Sequence, residues 1–232
     1  MTTIAQNLLA VRDRLNTVCN STGRDRDAVT LLAVSKTQPA EAVRAAHAAG
    51  QCAFGENYVQ EALDKIAALA DLRPALQWHL IGPLQSNKTR VVAEQFDWVH
   101  GVDRLRIAQR LSEQRPAGLP PLQICLQVNI SGEASKSGVP PAELPALAQA
   151  VAALPRLRLR GLMSIPEPAE TLIEQRAPHR QLRELLDALN AAGLALDTLS
   201  MGMSADLEAA VQEGATLVRI GTAIFGSRPH TA

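Results

Sequence analysis

At 232 residues and 47% apolar content the chain is long enough for one large domain with a full core, and two domains would be cramped. Its 23 basic and 23 acidic side chains cancel, so there is no net field to gather nucleic acid or an anionic membrane, and a small-molecule partner is expected. Cys19, Cys52 and Cys125 lack C-x-x-C spacing, which argues against a disulfide framework or a zinc site; with no signal-peptide pattern and no long apolar run, a cytoplasmic protein is expected.

The chain opens on a helical pattern over 4–18 and then alternates β-rich runs with Ala, Leu, Glu and Arg-rich stretches of helical periodicity. A strand over 29–35 precedes a helix over 40–49; strands over 51–55, 78–82 and 98–101 precede helices over 58–70, 88–94 and 105–114. A strand over 122–129 and a helix over 142–153 follow, then a strand over 158–163. The segment 164–178, with Pro166, Pro168 and Pro178, reads as a surface loop, and a helix over 178–192 follows it. Strands over 198–200 and 217–220 flank a last helix over 205–213. Gly50, Gly193 and Gly214 end alanine-rich helices, whereas Pro39, Pro83 and Pro140 lie near helix starts. About eight strands alternating with helices predict a parallel α/β barrel of TIM type, (β/α)8, in one domain over 1–232 with an added N-terminal helix.

In such a barrel the loops after the strands surround one mouth, which makes Lys36, Asn57, His79, Ser200, Arg219 and Thr222 candidates. Lys36 closes the first predicted strand. Desolvation disfavours a lysine's ammonium form and frees its amine to attack an aldehyde, whereas the plainer reading is a solvated lysine at a strand end. The run Ser200-Met201-Gly202-Met203-Ser204 after the seventh strand and Gly221-Thr222 after the eighth fall where barrels frequently hold phosphate. A phosphate-bearing aldehyde cofactor accommodates both. No residue set stands out as a metal site.

Seven ordered segments carry a family resemblance: Leu32-Ala33-Val34-Ser35-Lys36, Phe54-Gly55-Glu56-Asn57, Trp78 to Lys88, Ser135-Lys136-Ser137-Gly138, Gly161-Leu162-Met163, Leu199 to Ser204 and Arg219 to Gly226. On these the chain resembles the pyridoxal phosphate homeostasis proteins over nearly its whole length. The resemblance implies the barrel of alanine racemase without that enzyme's second domain, and pyridoxal 5'-phosphate (PLP) as cofactor. It implies that Lys36 forms the Schiff base, that Ser200, Gly221 and Thr222 hold the phosphate, that Arg219 faces the pyridine nitrogen, and that Asn57 lies near the ring. His79 either packs against the ring or is hydrogen-bonded within the barrel wall.

The implied role is a monomeric carrier or buffer of PLP in vitamin B6 homeostasis, with possible delivery to apoenzymes, rather than an enzyme. Lys136 is a second amine on a loop and is read more plainly as solvated. A PLP-dependent racemase is the alternative; it needs an acid/base on the opposite cofactor face, and the chain's single tyrosine, Tyr58, is a weak substitute. A cofactor-free aldolase using the same lysine is a further class, which the paired phosphate segments and Arg219 disfavour.

Overall fold

The computed structural model describes residues 3–133 and 137–226. Eight strands, β1 (Thr30–Val34), β2 (Ala53–Glu56), β3 (Gln77–Leu80), β4 (Trp98–Val102), β5 (Leu122–Gln127), β6 (Leu157–Met163), β7 (Thr198–Ser200) and β8 (Leu217–Ile220), pair in parallel and close in chain order into a barrel. The helices α2 (Ala40–Ala48), α3 (Val59–Ala68), α4 (Thr89–Gln95), α5 (Leu105–Gln114), α6 (Leu144–Ala152), α7 (Leu172–Ala191) and α8 (Leu207–Gln212) follow β1 to β7 in turn. The helix α1 (Ile4–Ser21) precedes the barrel, and a short α9 (Thr222–Phe225) follows β8. The expected (β/α)8 architecture with its extra N-terminal helix is therefore the one found.

Alternation along the strands divides the core in two, since successive side chains leave a strand on opposite faces. In β1, Leu31 and Ala33 join the large apolar layer beneath the helices, while Leu32 and Val34 turn inward to meet Ala53, Ile81 and Leu217. The helices complete the outer layer through one face each. In α5, for example, Ile107, Ala108 and Leu111 are buried while Arg106 and Gln109 are exposed.

The segment 164–178 departs from the expected loop. Helix α7 begins at Leu172, and Pro178 lies inside it. The start is fixed by a capping box: the Glu174 N–H donates to Thr171 Oγ1 at 3.3 Å, and Glu174 Oε2 accepts the Thr171 N–H at 3.1 Å. Pro178 removes one helical donor, but both neighbouring turns are tied to α8 and its flanks. Arg176, Arg180 and Arg183 converge on the buried Glu213 at 2.7, 3.0 and 3.1 Å, and His179 Nε2 lies 2.9 Å from Asp206 Oδ2. The cue Thr171-x-x-Glu174 was present in the sequence and outweighs the prolines. Strand β1 is also a residue shorter at each end than expected, which leaves Ser35 and Lys36 in the turn beyond it.

Helix α1 braces the mouth of the barrel. Asn7 Nδ2 donates to the Ile224 carbonyl at 2.9 Å, and Arg14 makes a bidentate pair with Glu208 at 2.7 and 2.6 Å while donating to the Ser204 carbonyl at 2.9 Å. The loops after β7 and β8 are thereby held from outside by an element that is no part of the barrel.

Candidate functional site

A cavity of about 330 Å³ opens at the C-terminal end of the barrel. Val34, Lys36, Asn57, Ile81, Arg219, Gly221 and Thr222 line it, together with Ile165 and the turn Met203-Ser204-Ala205. Five of the expected site residues, Lys36, Asn57, Arg219, Gly221 and Thr222, thus meet in one wall although 186 positions separate the first from the last. Barrel closure explains it: β1 pairs β8 with Leu32 opposite Arg219, so the loops after the first and last strands are neighbours. Gly221 allows the approach, because a Cβ there would lie 3.2 Å from the Val34 carbonyl oxygen.

Ser200 and His79 are placed elsewhere. Ser200 is wholly buried beneath the cavity, and its hydroxyl is engaged by Arg219 and His100. Ser204, four residues on and partly exposed, is the serine that reaches the wall. Its cue lay in the same Ser-x-Gly-x-Ser run; choosing between the serines required knowing that Arg219 and His100 occupy the Ser200 hydroxyl. His79 is buried in the barrel interior, stacked on Trp98 with ring centroids 5.3 Å apart and 7° between planes. It lies outside the cavity wall.

These buried groups form one hydrogen-bonded chain. Arg219 Nη1 donates to the Ser200 carbonyl at 2.6 Å and to Ser200 Oγ at 2.9 Å, and its Nη2 donates to the Ser164 carbonyl at 2.8 Å. A guanidinium can only donate, so the Ser200 hydroxyl oxygen accepts from Arg219, and it shares a further hydrogen bond with His100 Nδ1 at 2.8 Å. His100 Nε2 in turn shares a hydrogen bond with His79 Nδ1 at 2.9 Å. Burial holds both imidazoles neutral: it lowers His79 to about 3, and it lowers His100 well below the ordinary value with help from His79 and Arg219. Burial also lowers Arg219, to about 10, which leaves it cationic at neutral pH. His79 and Ser200 therefore bear on the cavity through Arg219, which they hold in place.

A second buried cluster lies behind Lys36. Lys65 Nζ donates to the Ser35 carbonyl at 2.6 Å and to Glu56 Oε1 at 2.8 Å, and pairs with Glu61 Oε1 at 2.6 Å. The Ser35 hydroxyl donates to Glu56 Oε1 at 2.6 Å. Burial pushes the Glu56 carboxyl up, against the pull of Lys65 and Ser35. Nothing in the sequence flagged this group, since Glu56 reads as a strand end and Lys65 as a helix-surface residue.

Asn57 Oδ1 is buried with no hydrogen-bond partner among the described residues, although it belongs to the cavity wall. Lys136 lies outside the described residues. Among those described, no group of three or more His, Cys, Asp or Glu is arranged to hold a metal, and no helix is long and apolar enough to cross a membrane.

Comparison with known proteins agrees with this geometry. The profile of the alanine racemase N-terminal domain matches residues 6–229. The pyridoxal phosphate homeostasis protein of Pseudomonas aeruginosa is 66% identical over 100% of this chain and 99% of its own length, and that of Escherichia coli K12 is 56% identical with the same coverage. The solved structure of PipY from Synechococcus elongatus with PLP bound superposes with a TM-score of 0.85 at 42% identity, covering 97% of this chain and 100% of PipY. Alanine racemase from Corynebacterium glutamicum shares the fold with a TM-score of 0.72 at 18% identity, and 99% of this chain covers 62% of that enzyme. With a full-length relative at 66% identity and a domain profile spanning nearly the whole barrel, the chain belongs to the pyridoxal phosphate homeostasis proteins, within the alanine racemase N-terminal domain family.

Proposed function

We propose that this chain binds PLP through a Schiff base on Lys36 and acts as an intracellular carrier or buffer of the cofactor, with delivery to apoenzymes as one outlet. The observation that carries the reading is the meeting of Lys36, Arg219, Ser204, Gly221 and Thr222 around one cavity. Its volume suits a small cofactor. The polar groups suit this one: an amine for the aldehyde, hydroxyls and a close-packed glycine loop for a phosphate, and, as an acceptor, a buried amide oxygen on Asn57 still without a partner among the described residues. PLP bound to PipY supports the same assignment.

When bound, the cofactor supplies a reactive aldehyde and a ring able to withdraw electrons. The residues of this chain favour holding it over exploiting it. Arg219 is a fixed cation beside the ring site and disfavours a proton on the pyridine nitrogen, which weakens electron withdrawal. Tyr58 is 59% exposed and lies outside the cavity wall, so it is poorly placed to exchange a proton on the opposite face as racemisation requires. The placement of Tyr58 supports a carrier over a racemase; Arg219 does not separate the two, since a racemase can also use an arginine at that nitrogen.

The test is the visible spectrum of wild type and Lys36→Ala equilibrated with PLP, followed by borohydride reduction and peptide mapping. An imine band in wild type, absent from the variant, with the adduct on Lys36, is expected. A wild type with neither band nor adduct would refute the assignment. The two serines give a second prediction. Ser204→Ala removes a hydroxyl from the cavity wall, and loss of a hydrogen bond to a charged group costs about 1.5–3 kcal/mol, so PLP affinity is expected to fall roughly tenfold or more. Ser200→Ala is expected to leave competition by inorganic phosphate unchanged, since that hydroxyl is engaged by Arg219 and His100. Titrations with PLP and phosphate distinguish the two; equal loss of phosphate competition in both would return Ser200 to the phosphate site.

A further inference from the structure

Lys36 stands on a turn that the rest of the protein grips from both sides. The Gln38 N–H donates to the Ser35 carbonyl at 3.0 Å, closing a four-residue turn with Lys36 and Thr37 at its centre. Thr37 has φ of 64°, in the left-handed region that turns of this kind ordinarily fill with glycine. A β-branched residue there costs about 1–3 kcal/mol and persists only where the surroundings over-determine it. The surroundings here are the buried cluster described above. On the near side, Lys65 holds the Ser35 carbonyl and Glu56 holds the Ser35 hydroxyl. On the far side, Glu61 Oε1 accepts the Thr37 N–H at 2.5 Å. Lys65 joins the two grips, because it pairs with both Glu56 and Glu61. The residues immediately before and after Lys36 are thus bonded to one ion cluster rooted in β2 and α3.

We propose that Glu56, Lys65 and Glu61 are positioning residues for Lys36: by clamping Ser35 and Thr37 they fix the turn so that the Lys36 amine is directed at the cofactor aldehyde. This rests on the reading of Lys36 as the attachment point. The cluster touches the backbone flanking Lys36, and none of its three side chains lines the cavity. It therefore acts on covalent capture and leaves the hold on ring and phosphate to other residues. Reactivity is sensitive to such placement, since displacement of about 1 Å can cost up to a hundredfold.

Glu61 is the member suited to testing, because its side chain is 28% exposed and its loss leaves the Glu56–Lys65 pair in place. Glu61→Ala and Glu61→Gln would be compared with wild type for binding of PLP and of pyridoxine 5'-phosphate, which keeps the ring and phosphate but has no aldehyde. In Glu61→Ala, covalent capture, read as imine absorbance and as borohydride-trapped adduct on Lys36, is expected to weaken on the order of tenfold, with pyridoxine phosphate binding within about twofold of wild type. Glu61→Gln is expected to regain most of the capture, since its amide oxygen still accepts the Thr37 N–H. Capture by Glu61→Ala equal to wild type would overturn the proposal, and so would parallel loss of both ligands, which would make the cluster a support of the whole barrel end. If wild type itself forms no adduct on Lys36 while still binding pyridoxine phosphate, the attachment reading fails and the proposal falls with it.

Discussion

Lys65→Met is expected to destabilise the protein by about 3–5 kcal/mol, the usual cost of leaving one member of a buried ion pair without its partner. For a chain of this length that corresponds to a fall in melting temperature of roughly 10 °C. Glu56 is wholly buried, and Lys65 is the only cation within salt-bridge distance of it among the described residues. Methionine fills the volume of the lysine stem, so the loss reports the charge rather than a cavity. The deficit depends on pH with a definite sign. Burial already holds the Glu56 carboxyl above its unfolded value of 4.5, and removing Lys65 removes the largest opposing pull, so the carboxyl rises further. An acid whose pKa is raised on folding binds its proton more tightly in the native state, so its contribution to stability declines as pH rises from the unfolded value through the folded one. The variant's extra deficit is therefore expected to be smallest in mild acid and to widen towards alkaline pH. Denaturant melts at pH 5 and pH 8 check it. Glu56→Gln combined with Lys65→Met is expected to recover most of the loss and to abolish the pH dependence; a single-variant deficit independent of pH would show that Lys65 does not serve to neutralise Glu56.

Gly161→Ala is expected to be more damaging still, at more than about 4 kcal/mol, with most of the protein recovered as insoluble material. Gly161 lies in β6 where the register with β5 shifts, Ile124 facing Leu159 and Cys125 facing Gly161, so that Arg160 is the extra residue. The irregularity presses β6 against β7. A Cβ on residue 161 would overlap the Thr198 carbonyl oxygen and come within 2.6 Å of its carbon and 3.0 Å of its Cα. These are backbone atoms of a three-residue strand, and no rotamer change relieves them. Because Ser200, which holds Arg219, is the last residue of β7, any variant that does fold is expected to bind PLP poorly through a displaced Arg219. Gly118→Ala is the control: nothing lies within 4 Å of a Cβ there and the backbone angle is ordinary, so a neutral or slightly stabilising effect, up to about 1 kcal/mol, is expected. Thermal melts of the soluble fractions compare the two, and equal stability would show that the barrel yields at β7.

What the sequence determined by itself was the architecture and most of one wall. Eight β-rich runs, seven of them followed by a stretch of helical periodicity, point to a parallel sheet covered by helices. A closed barrel then places whatever follows each strand at one mouth, which is why Lys36, Asn57, Arg219, Gly221 and Thr222 could be named before any contact was known. The start of α7 was legible too, in Thr171 and Glu174, but three prolines suggested a loop; a capping box and four ties to Asp206 and Glu213 outweigh one missing donor. Tertiary structure alone decided the rest. The end of β7 at residue 200 was legible, but not which serine faces the cavity: the Ser200 hydroxyl is taken up inside the barrel by Arg219 and His100, and Ser204, four residues on, is the one in the wall. His79 could be read either as packing on the ring or as hydrogen-bonded within the barrel wall, and its contact with His100, on a neighbouring strand 21 positions on, gives the second placement. The cluster of Glu56, Lys65 and Glu61 was the least legible, because a charged residue in an amphipathic stretch ordinarily faces solvent. Only the packing of α3 against the ends of β1 and β2 buries Lys65 between two carboxylates and a carbonyl, and burial is what makes those charges bear on Lys36.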